Sequence, residues 1–360
     1  MNKQPDNSGA FAFHGDWRQF APIAFTNLLL TIVTLGLYSF WARTRVRRYL
    51  WSETRFIDDR LEWTGTGLEL FIGYLLAFVL FVIPFGVLNL VLQGVLLRGH
   101  PGAALAIFIT VYLLLMYLVG IAIFRALRYR LSRTFWHGIR GGSDDQGLAY
   151  GWQYLWRTIA GTLALGLLIP WSMTSLWNER WNKMSFGPLR FEAAATAGSL
   201  TLRFLLFYLV PILILVLGVV MGVMFGATGF RGGAGLPPPG GMIAFLFVFV
   251  LLFYGVLGVI ALFFYSAYFR EVIGTLRLGG LEFEFTARTM DWVKFVLGTV
   301  ALVVFTFGIG YIFVAYRNWA FFIRHLKAYG SVDLLDLTQS TTREPGQGEG
   351  LLDAFDIGAF

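Results

Sequence analysis

Seven long apolar runs dominate this chain of 360 residues, at 20–41, 70–97, 103–124, 152–171, 200–225, 242–268 and 292–316. A helix of about 20 apolar residues crosses a bilayer, and a water-soluble fold of this length has no place for seven of them. The pattern predicts an all-α integral membrane protein, a polytopic helical bundle. Charged residues make up only 14%, against roughly 25% in a soluble domain, so little of the chain is built to face water. Aromatic residues reach 18%, and such rings face lipid or sit at headgroup level. Residues 1–15 lack the apolar core and small-residue cleavage site of a signal peptide, so the first run is expected to stay in the membrane. Pro84 and Pro211, inside the second and fifth runs, are expected to kink their helices.

The runs are not independent of one another. Leu35-Gly36-Leu37 near the end of the first run recurs as Leu165-Gly166-Leu167 in the fourth. At the same offset of 130 positions Trp41 matches Trp171, Trp51 matches Trp181, Phe56 matches Phe186 and Glu62 matches Glu192. Phe13-His14-Gly15 is echoed by Trp136-His137-Gly138, and Phe307-Gly308-Ile309 echoes the Leu-Gly box a third time. The colinear order of these Trp, Gly and Glu matches predicts internal repeats. The expected divisions are a polar segment 1–10, a first membrane module 11–133, a second 134–274, a truncated third 275–337 and a disordered tail 338–360.

Each module's polar part holds a period-two pattern around turn residues, the signature of a β-hairpin. One runs from Arg55 through Asp58-Asp59 to Trp63, one from Phe186 through Gly187-Pro188 to Glu192, and one from Leu276 through Gly279-Gly280 to Phe285. An isolated hairpin is marginal in water. These small interfacial hairpins are therefore expected to pair with one another, or with 11–13, against the membrane face.

Three stretches carry a family resemblance. The Phe11-Ala12-Phe13-His14-Gly15 start, the box from Thr34 through Trp41-Ala42-Arg43 with the following Arg47-Arg48-Tyr49, and the segment from Arg133 to Gly141 resemble the YjgN family of multi-pass bacterial inner-membrane proteins. The resemblance spans roughly 11–337. It implies a location in the inner membrane and a helical membrane fold, and it brings no biochemical activity with it.

Topology divides two expectations. If all seven runs span, 16 Lys/Arg in loops and termini face 9 on the other side. If the first, fourth and seventh runs, which carry the Leu-Gly box, turn back within the membrane, the ratio becomes 23 to 2. Lys and Arg collect on the cytoplasmic side, which favours four spans. Run length favours seven and is given slightly more weight; three-span modules would then form inverted repeats, a plan common in transporters. Both arrangements place 42–69, 125–151 and the C-terminus in the cytoplasm.

Little chemistry can be read from the chain. No nucleotide loop, catalytic triad order or metal-ligand spacing is present, and Cys is absent, so neither a thiolate nor a disulfide framework is available. No enzyme activity, cofactor or metal is expected. His14 and His137 are read as structural, and Asp58-Asp59 and Asp144-Asp145 as solvated turns. Arg157, Arg203 and Lys294 sit near run starts and can snorkel. Asn27, Asn89 and Gln93 are the strongly polar side chains inside runs, and no run holds a central acid for a proton relay. Gly218, Gly222 and Gly226 form a small-residue stripe for helix packing within the chain. Tyr38, Trp41, Arg43, Arg45, Arg47 and Arg48 form an aromatic and basic border. Such a border anchors topology and is the candidate site for anionic lipid headgroups. The net charge of +7 fits anionic lipid rather than nucleic acid as the partner. Two functions follow: a transporter of an apolar or zwitterionic solute, or a non-catalytic envelope protein that organises lipid. A cavity lined by Asn27, Asn89 or Gln93 favours the first; a packed or lipid-filled centre favours the second.

Overall fold

The computed structural model describes residues 10–231, 239–332, 338–344 and 346. Among the described residues, four helical stretches are long and apolar enough to cross a membrane. In the first, α3 (Gly67–Ala77) passes through a π-helical turn (Phe78–Val82) into α4 (Ile83–Leu97). The second is α5 (Pro101–Arg133), the third α8 (Gly198–Phe204) with α9 (Leu206–Arg231), and the fourth α10 (Pro239–Gly274). A capping box starts α3: the Glu69 N–H donates to Thr66 Oγ1 at 3.3 Å and the Thr66 N–H to Glu69 Oε2 at 3.2 Å. The π turn sits directly before Pro84, whose ring removes a helical donor, and the α8–α9 break at Leu205 precedes Pro211 within two turns.

These helices do not form the bundle expected from their number. In the most apolar stretch of each, the buried share is 11%, 22%, 0% and 6%. They stand as two pairs, α4 against α5 and α9 against α10, with apolar surface turned outward on nearly all sides, as lipid requires. Within the second pair Gly218 lies so close to Phe249 that a Cβ would fall 2.4 Å from its ring, whereas Gly222 meets nothing. The glycine stripe thus serves packing within the chain at one position; Gly226 has no described side-chain surroundings.

The seven-span expectation fails at the Leu-Gly boxes. The first run is two helices, α1 (Trp17–Val33) and α2 (Ser39–Ser52), the fourth is α6 (Leu148–Leu163) and α7 (Ile169–Trp181), and the seventh is α11 (Thr289–Phe305) followed by a 3-10 turn (Ile309–Phe313) and α12 (Val314–His325). Between the partners two consecutive residues take left-handed conformations: Leu35 and Gly36 (φ 50° and 92°), Leu165 and Gly166 (53° and 80°), Phe307 and Gly308 (52° and 91°). The Gly36 N–H reaches Thr31 O at 2.7 Å and the Gly308 N–H reaches Val303 O at 2.8 Å, the long closure that ends a helix in a Schellman motif. The Thr34 hydroxyl secures the reversal by donating to Leu30 O (2.7 Å) and accepting from the Tyr38 N–H (2.9 Å). The tips are apolar and open: Leu35 is 95% exposed and Phe307 96%. Each box thus closes a helical hairpin, termed re-entrant from here on because its tip is apolar and its arms are short. With α1 only 17 residues long, or about 25 Å at 1.5 Å per residue, each arm falls short of a full crossing.

The expectation of an all-α fold is also corrected. Among the described residues there are eleven strands: β1 (Phe11–Phe13), β2 (Thr54–Phe56), β3 (Asp59–Arg60), β4 (Glu62–Trp63), β5 (Thr134–Trp136), β6 (Ile139–Gly142), β7 (Ser185–Phe186), β8 (Leu189–Ala193), β9 (Leu276–Leu278), β10 (Leu281–Phe285) and β11 (Leu326–Gly330). They pair antiparallel in chain order, β1-β2-β3 and β4 through β11, and only Leu61 separates β3 from β4. The sheet curls until β1 lies beside β11. Phe56, Trp136, Phe186, Phe191, Leu278 and Phe283 from its strands are buried in one core.

Every re-entrant or spanning pair leaves this sheet and returns to it. Re-entrant pairs link β1 to β2, β6 to β7 and β10 to β11; spanning pairs link β4 to β5 and β8 to β9. Both spanning pairs therefore start and end on the same face, which removes the inverted arrangement. The three expected hairpins are present, each with a two-residue turn, and a fourth joins β5 to β6 through His137-Gly138. His137 and Gly138 both have positive φ, 51° and 71°, as the tight turn requires. His14-Gly15 instead lies in the link from β1 to α1, so the two His-Gly pairs are not structural equivalents.

Residues 338–344, expected to be disordered, dock on the β5–β6 turn and its neighbours. Gln339 accepts from the Arg140 N–H at 3.2 Å and donates to Gly138 O at 2.8 Å, the Arg343 N–H donates to Asp144 at 3.2 Å, and Ser340 is buried. Residues 345 and 347–360 of the expected tail, and 1–9 of the expected N-terminal segment, lie outside the described residues.

Candidate functional site

A cavity of about 770 Å³ lies between the first and third re-entrant hairpins and the lower end of α5. That volume suits a small-molecule ligand. Ala24, Asn27, Leu28 and Thr31 supply the α1 wall, and Arg43, Val46, Arg47 and Leu50 the α2 wall. Arg130 of α5, Tyr311 and Ile312 of the 3-10 turn, and Val314, Asn318 and Trp319 of α12 complete it.

The cleft follows from local sequence. On a helix, residues four apart share a face, so Arg43 and Arg47 line the cleft together with Val46 and Leu50, while Arg45 and Arg48 point elsewhere and are exposed. The Arg47 guanidinium sits 5.0 Å from the Trp63 ring centroid, a cation–π contact that holds its position. Asn27 is 5% exposed; its Nδ2 donates to Ala42 O at 3.3 Å. The other end of that amide, Oδ1, is buried and accepts no hydrogen bond.

The floor is aromatic. Trp51 and Trp319 stack at 4.0 Å, and Trp63 meets Trp51 edge-on at 5.1 Å. Trp319 Nε1 donates to Thr54 Oγ1 at 2.8 Å and Trp51 Nε1 to Thr134 Oγ1 at 3.0 Å. These bonds tie α12, α2, β2 and β5 together beneath the cavity. At the other end, Thr31, Ser39 and Tyr311 lie next to the apolar hairpin tips. The cleft thus combines three arginines with apolar side chains of α1, α2 and α12, and among its described lining residues there is no Asp or Glu.

The six border residues have separate fates. Arg43 and Arg47 enter the cleft. Tyr38 stacks on Trp41 at 6.4 Å and Trp41 packs on Phe71 at 6.0 Å, an outer aromatic edge beside it. Arg130, Asn318, Trp319 and Tyr311 escape a reading of the sequence, because they lie far along the chain; the third Leu-Gly echo was the signal that a matching hairpin would stand there. Asn89 and Gln93 are exposed on α4, with Asn89 Nδ2 donating to Phe85 O of its own helix. They line no polar path.

The second hairpin handles its charges differently. Arg157 donates to Ser175 O at 2.9 Å and lies 3.7 Å from Glu179, while Lys183 pairs with Asp145 at 2.8 Å and with Glu179 at 3.7 Å. Burial alone would raise the Asp145 carboxyl; the Lys183 ammonium, the Gly147 N–H and the Arg128 charge outweigh it and hold the group below its ordinary value. Asp145 is therefore part of a structural ion pair rather than a solvated turn. His137 lies 3.0 Å from Asp58 and 3.6 Å from Asp59, bridging two neighbouring hairpin turns. No group of three or more metal-ligating side chains occurs among the described residues.

The model of a family described as "Bacterial protein of unknown function (DUF898)" matches residues 8–354. Relatives named "Inner membrane protein YjgN" include one from Salmonella typhimurium, 24% identical over 43% of this chain and 36% of its own length. One from Escherichia coli K12 is 28% identical over 46% of this chain and 39% of its own length, and one from Escherichia coli O157:H7 is 32% identical over 39% and 32%. The matched stretch therefore covers between about a third and two-fifths of these relatives. No solved structure matches the chain.

Proposed function

We propose that this chain, which belongs to the DUF898 family of bacterial proteins of unknown function, is a non-catalytic protein of the inner membrane that holds an anionic lipid in the cleft between its first and third re-entrant hairpins. The observation that carries this reading is the lining of that cleft: Arg43, Arg47 and Arg130 together with the apolar side chains of Leu28, Ile312 and Val314. A lipid of the leaflet beside the sheet would place its headgroup at the arginines and its chains along Leu28, Tyr311 and Ile312. The Lys/Arg excess on the sheet side, 23 against 2, supports placing the sheet and the C-terminus in the cytoplasm, where the facing leaflet is rich in anionic lipid.

Transport of a solute through the chain finds less support. The two spanning pairs enclose no polar path among the described residues, and the cavity that Asn27 lines lies in the re-entrant layer. The shared order of strand, re-entrant pair, hairpin and spanning pair after β1 and after β6 favours duplication of one parallel unit, with a shortened copy from β10. In that reading the first unit keeps a lipid cleft between its re-entrant pair and that of the shortened copy.

The test is lipid retention by native mass spectrometry of the purified protein, comparing phosphatidylglycerol with phosphatidylcholine. A basic residue at the membrane surface contributes about 1 kcal/mol to anionic lipid binding, so each arginine is expected to contribute roughly fivefold. Arg43→Gln with Arg47→Gln should lower the preference for phosphatidylglycerol by about 25-fold on the same estimate. Equal retention of the two lipids by the wild type, or no change in the double variant, would reject the reading.

A further inference from the structure

Another group of arginines lies where the second spanning pair meets the third re-entrant hairpin. On α10, Phe263, Ser266 and Arg270 share a helix face. The Arg203 guanidinium of α8 sits over the Phe263 ring, 4.8 Å from its centroid. Arg270 Nε donates to Ser266 O at 3.2 Å, and the buried Ser266 hydroxyl meets Thr289 Oγ1 at 2.9 Å, which brings the neighbouring Arg288 to the same place. Arg203 and Arg270 are partly buried and Arg288 is exposed, so a ligand can reach all three. Arg203 and Arg288 are the charges that act on Arg270, and both repel it. Among the described residues no carboxylate forms an ion pair with any of the three. The acids beside them in the chain are committed elsewhere. Glu271 accepts from the Thr196 N–H and hydroxyl at 3.0 and 2.9 Å, and Asp291 accepts from the Arg288 N–H at 2.8 Å as it caps α11. The first spanning pair shows the alternative, since Arg133 there meets Glu69 at 2.6 Å. Like charges gathered at a partly desolvated surface without a counterion raise one another's energy, which a bound anion relieves.

We infer that Arg203, Arg270 and Arg288 form a further lipid site, which holds the phosphate of an anionic phospholipid of the sheet-side leaflet. α10 ends at Gly274, just beyond Arg270, and β9 follows. Away from the sheet the same helix face runs through Phe263 to Val259, an exposed apolar residue roughly 16 Å from Arg270 along the axis at 1.5 Å per residue. Charge beside the sheet and apolar surface beyond it is the order in which a lipid of that leaflet presents its head and chains. Leu202 and Met290, next to Arg203 and Arg288 in the chain, are exposed and add apolar surface. The site shares no residue with the cleft between the first and third hairpins and does not rest on that reading.

The test reads the site locally. The chain has no Cys, so Leu202→Cys carrying a bimane fluorophore, in the full-length protein in nanodiscs, reports lipid chains beside Arg203. Phosphatidylglycerol with brominated chains should quench it more strongly than brominated phosphatidylcholine at equal mole fraction. Each guanidinium is expected to contribute roughly fivefold to that preference, so Arg203→Gln with Arg270→Gln should lower it about 25-fold. Arg288→Gln, at an exposed position, should lower it about fivefold and serves if the double variant misfolds. Equal quenching by the two lipids, or an unchanged preference in the variants, would overturn the site. Reversal of the quenching by excess glycerol phosphate would assign the arginines to a soluble anion and overturn the lipid assignment. Arg43→Gln with Arg47→Gln should leave the quenching as it is; an equal loss there would show a general charge field rather than a site.

Discussion

Trp319 is where the third hairpin is fastened to the first, and its removal has a calculable cost. Its indole N–H donates to Thr54 Oγ1 at 2.8 Å, and that hydroxyl, fully buried, donates in turn to Leu50 O at 2.7 Å. Trp319→Phe keeps an aromatic ring against Trp51 but removes the N–H and part of the indole's contact, so it should cost about 1–2 kcal/mol. Trp319→Ala also forfeits the 4.0 Å stack on Trp51. Full truncation of a buried Trp costs about 3–5 kcal/mol; Trp319 is half-buried, so about 2–4 kcal/mol is expected. Thr54→Val removes the same hydrogen bond from the other side. A double-mutant cycle of Trp319→Phe with Thr54→Val should therefore show a coupling of about 1 kcal/mol, since the bond can be lost only once. Urea unfolding in mixed micelles, followed by circular dichroism, measures all four corners. A coupling indistinguishable from zero, or Trp319→Ala no worse than Trp319→Phe, would refute the claim that this contact locks the two hairpins.

Gly67→Ala should destabilise the protein by about 1–3 kcal/mol in the same assay, because its Cβ would lie 2.6 Å from the Trp41 ring and 2.8 Å from its Cα. Gly86→Ala meets nothing within 4 Å and should be neutral or slightly stabilising, by up to about 1 kcal/mol. The Asp145–Lys183 pair predicts a pH dependence of definite sign. The Asp145 pKa is lowered on folding, so its contribution is complete above the ordinary carboxylate value of about 4 and is lost as pH falls through the lower folded value. Thermal unfolding should accordingly show Asp145→Asn less stable than the wild type at pH 7, with the gap closing below about pH 4; a gap independent of pH would contradict the ion pair's role.

The elements that sequence exposes best are those whose pattern is local. The hairpins at β2–β4, β7–β8 and β9–β10 could be read from period-two alternation around Asp, Pro and Gly turns. The hairpin at β5–β6 carries an equally plain signal, His137-Gly138 between Trp136 and Ile139, but its likeness to His14-Gly15 drew it into the wrong comparison. The re-entrant turns were hidden for a physical reason. Run length counts apolar residues and is blind to the sign of φ, and Leu35, Leu165 and Phe307 are apolar residues in left-handed conformations that L-residues seldom adopt. The Leu-Gly box was visible as a repeat, and the charge ratio of 23 to 2 already favoured chain reversal there. For the cleft, helical spacing foretells that Arg43 and Arg47 share a face. Bringing Arg130 and Trp319 to that face depends on the sheet, whose closure no local pattern encodes.

The account's central claim is that a single sheet carries all the helical hairpins on one side of the membrane. The chain contains no Cys, so single cysteines report position cleanly. Ser52 and Pro188 lie beside the sheet, and His100 lies at the far end of the first spanning pair; all three are exposed. In cells with a permeabilised outer membrane, an impermeant thiol reagent should label His100→Cys and leave Ser52→Cys and Pro188→Cys protected until the inner membrane is broken. Labelling of Pro188→Cys in intact inner membranes, with Ser52→Cys still protected, would put the two sheet positions on opposite sides and contradict the account.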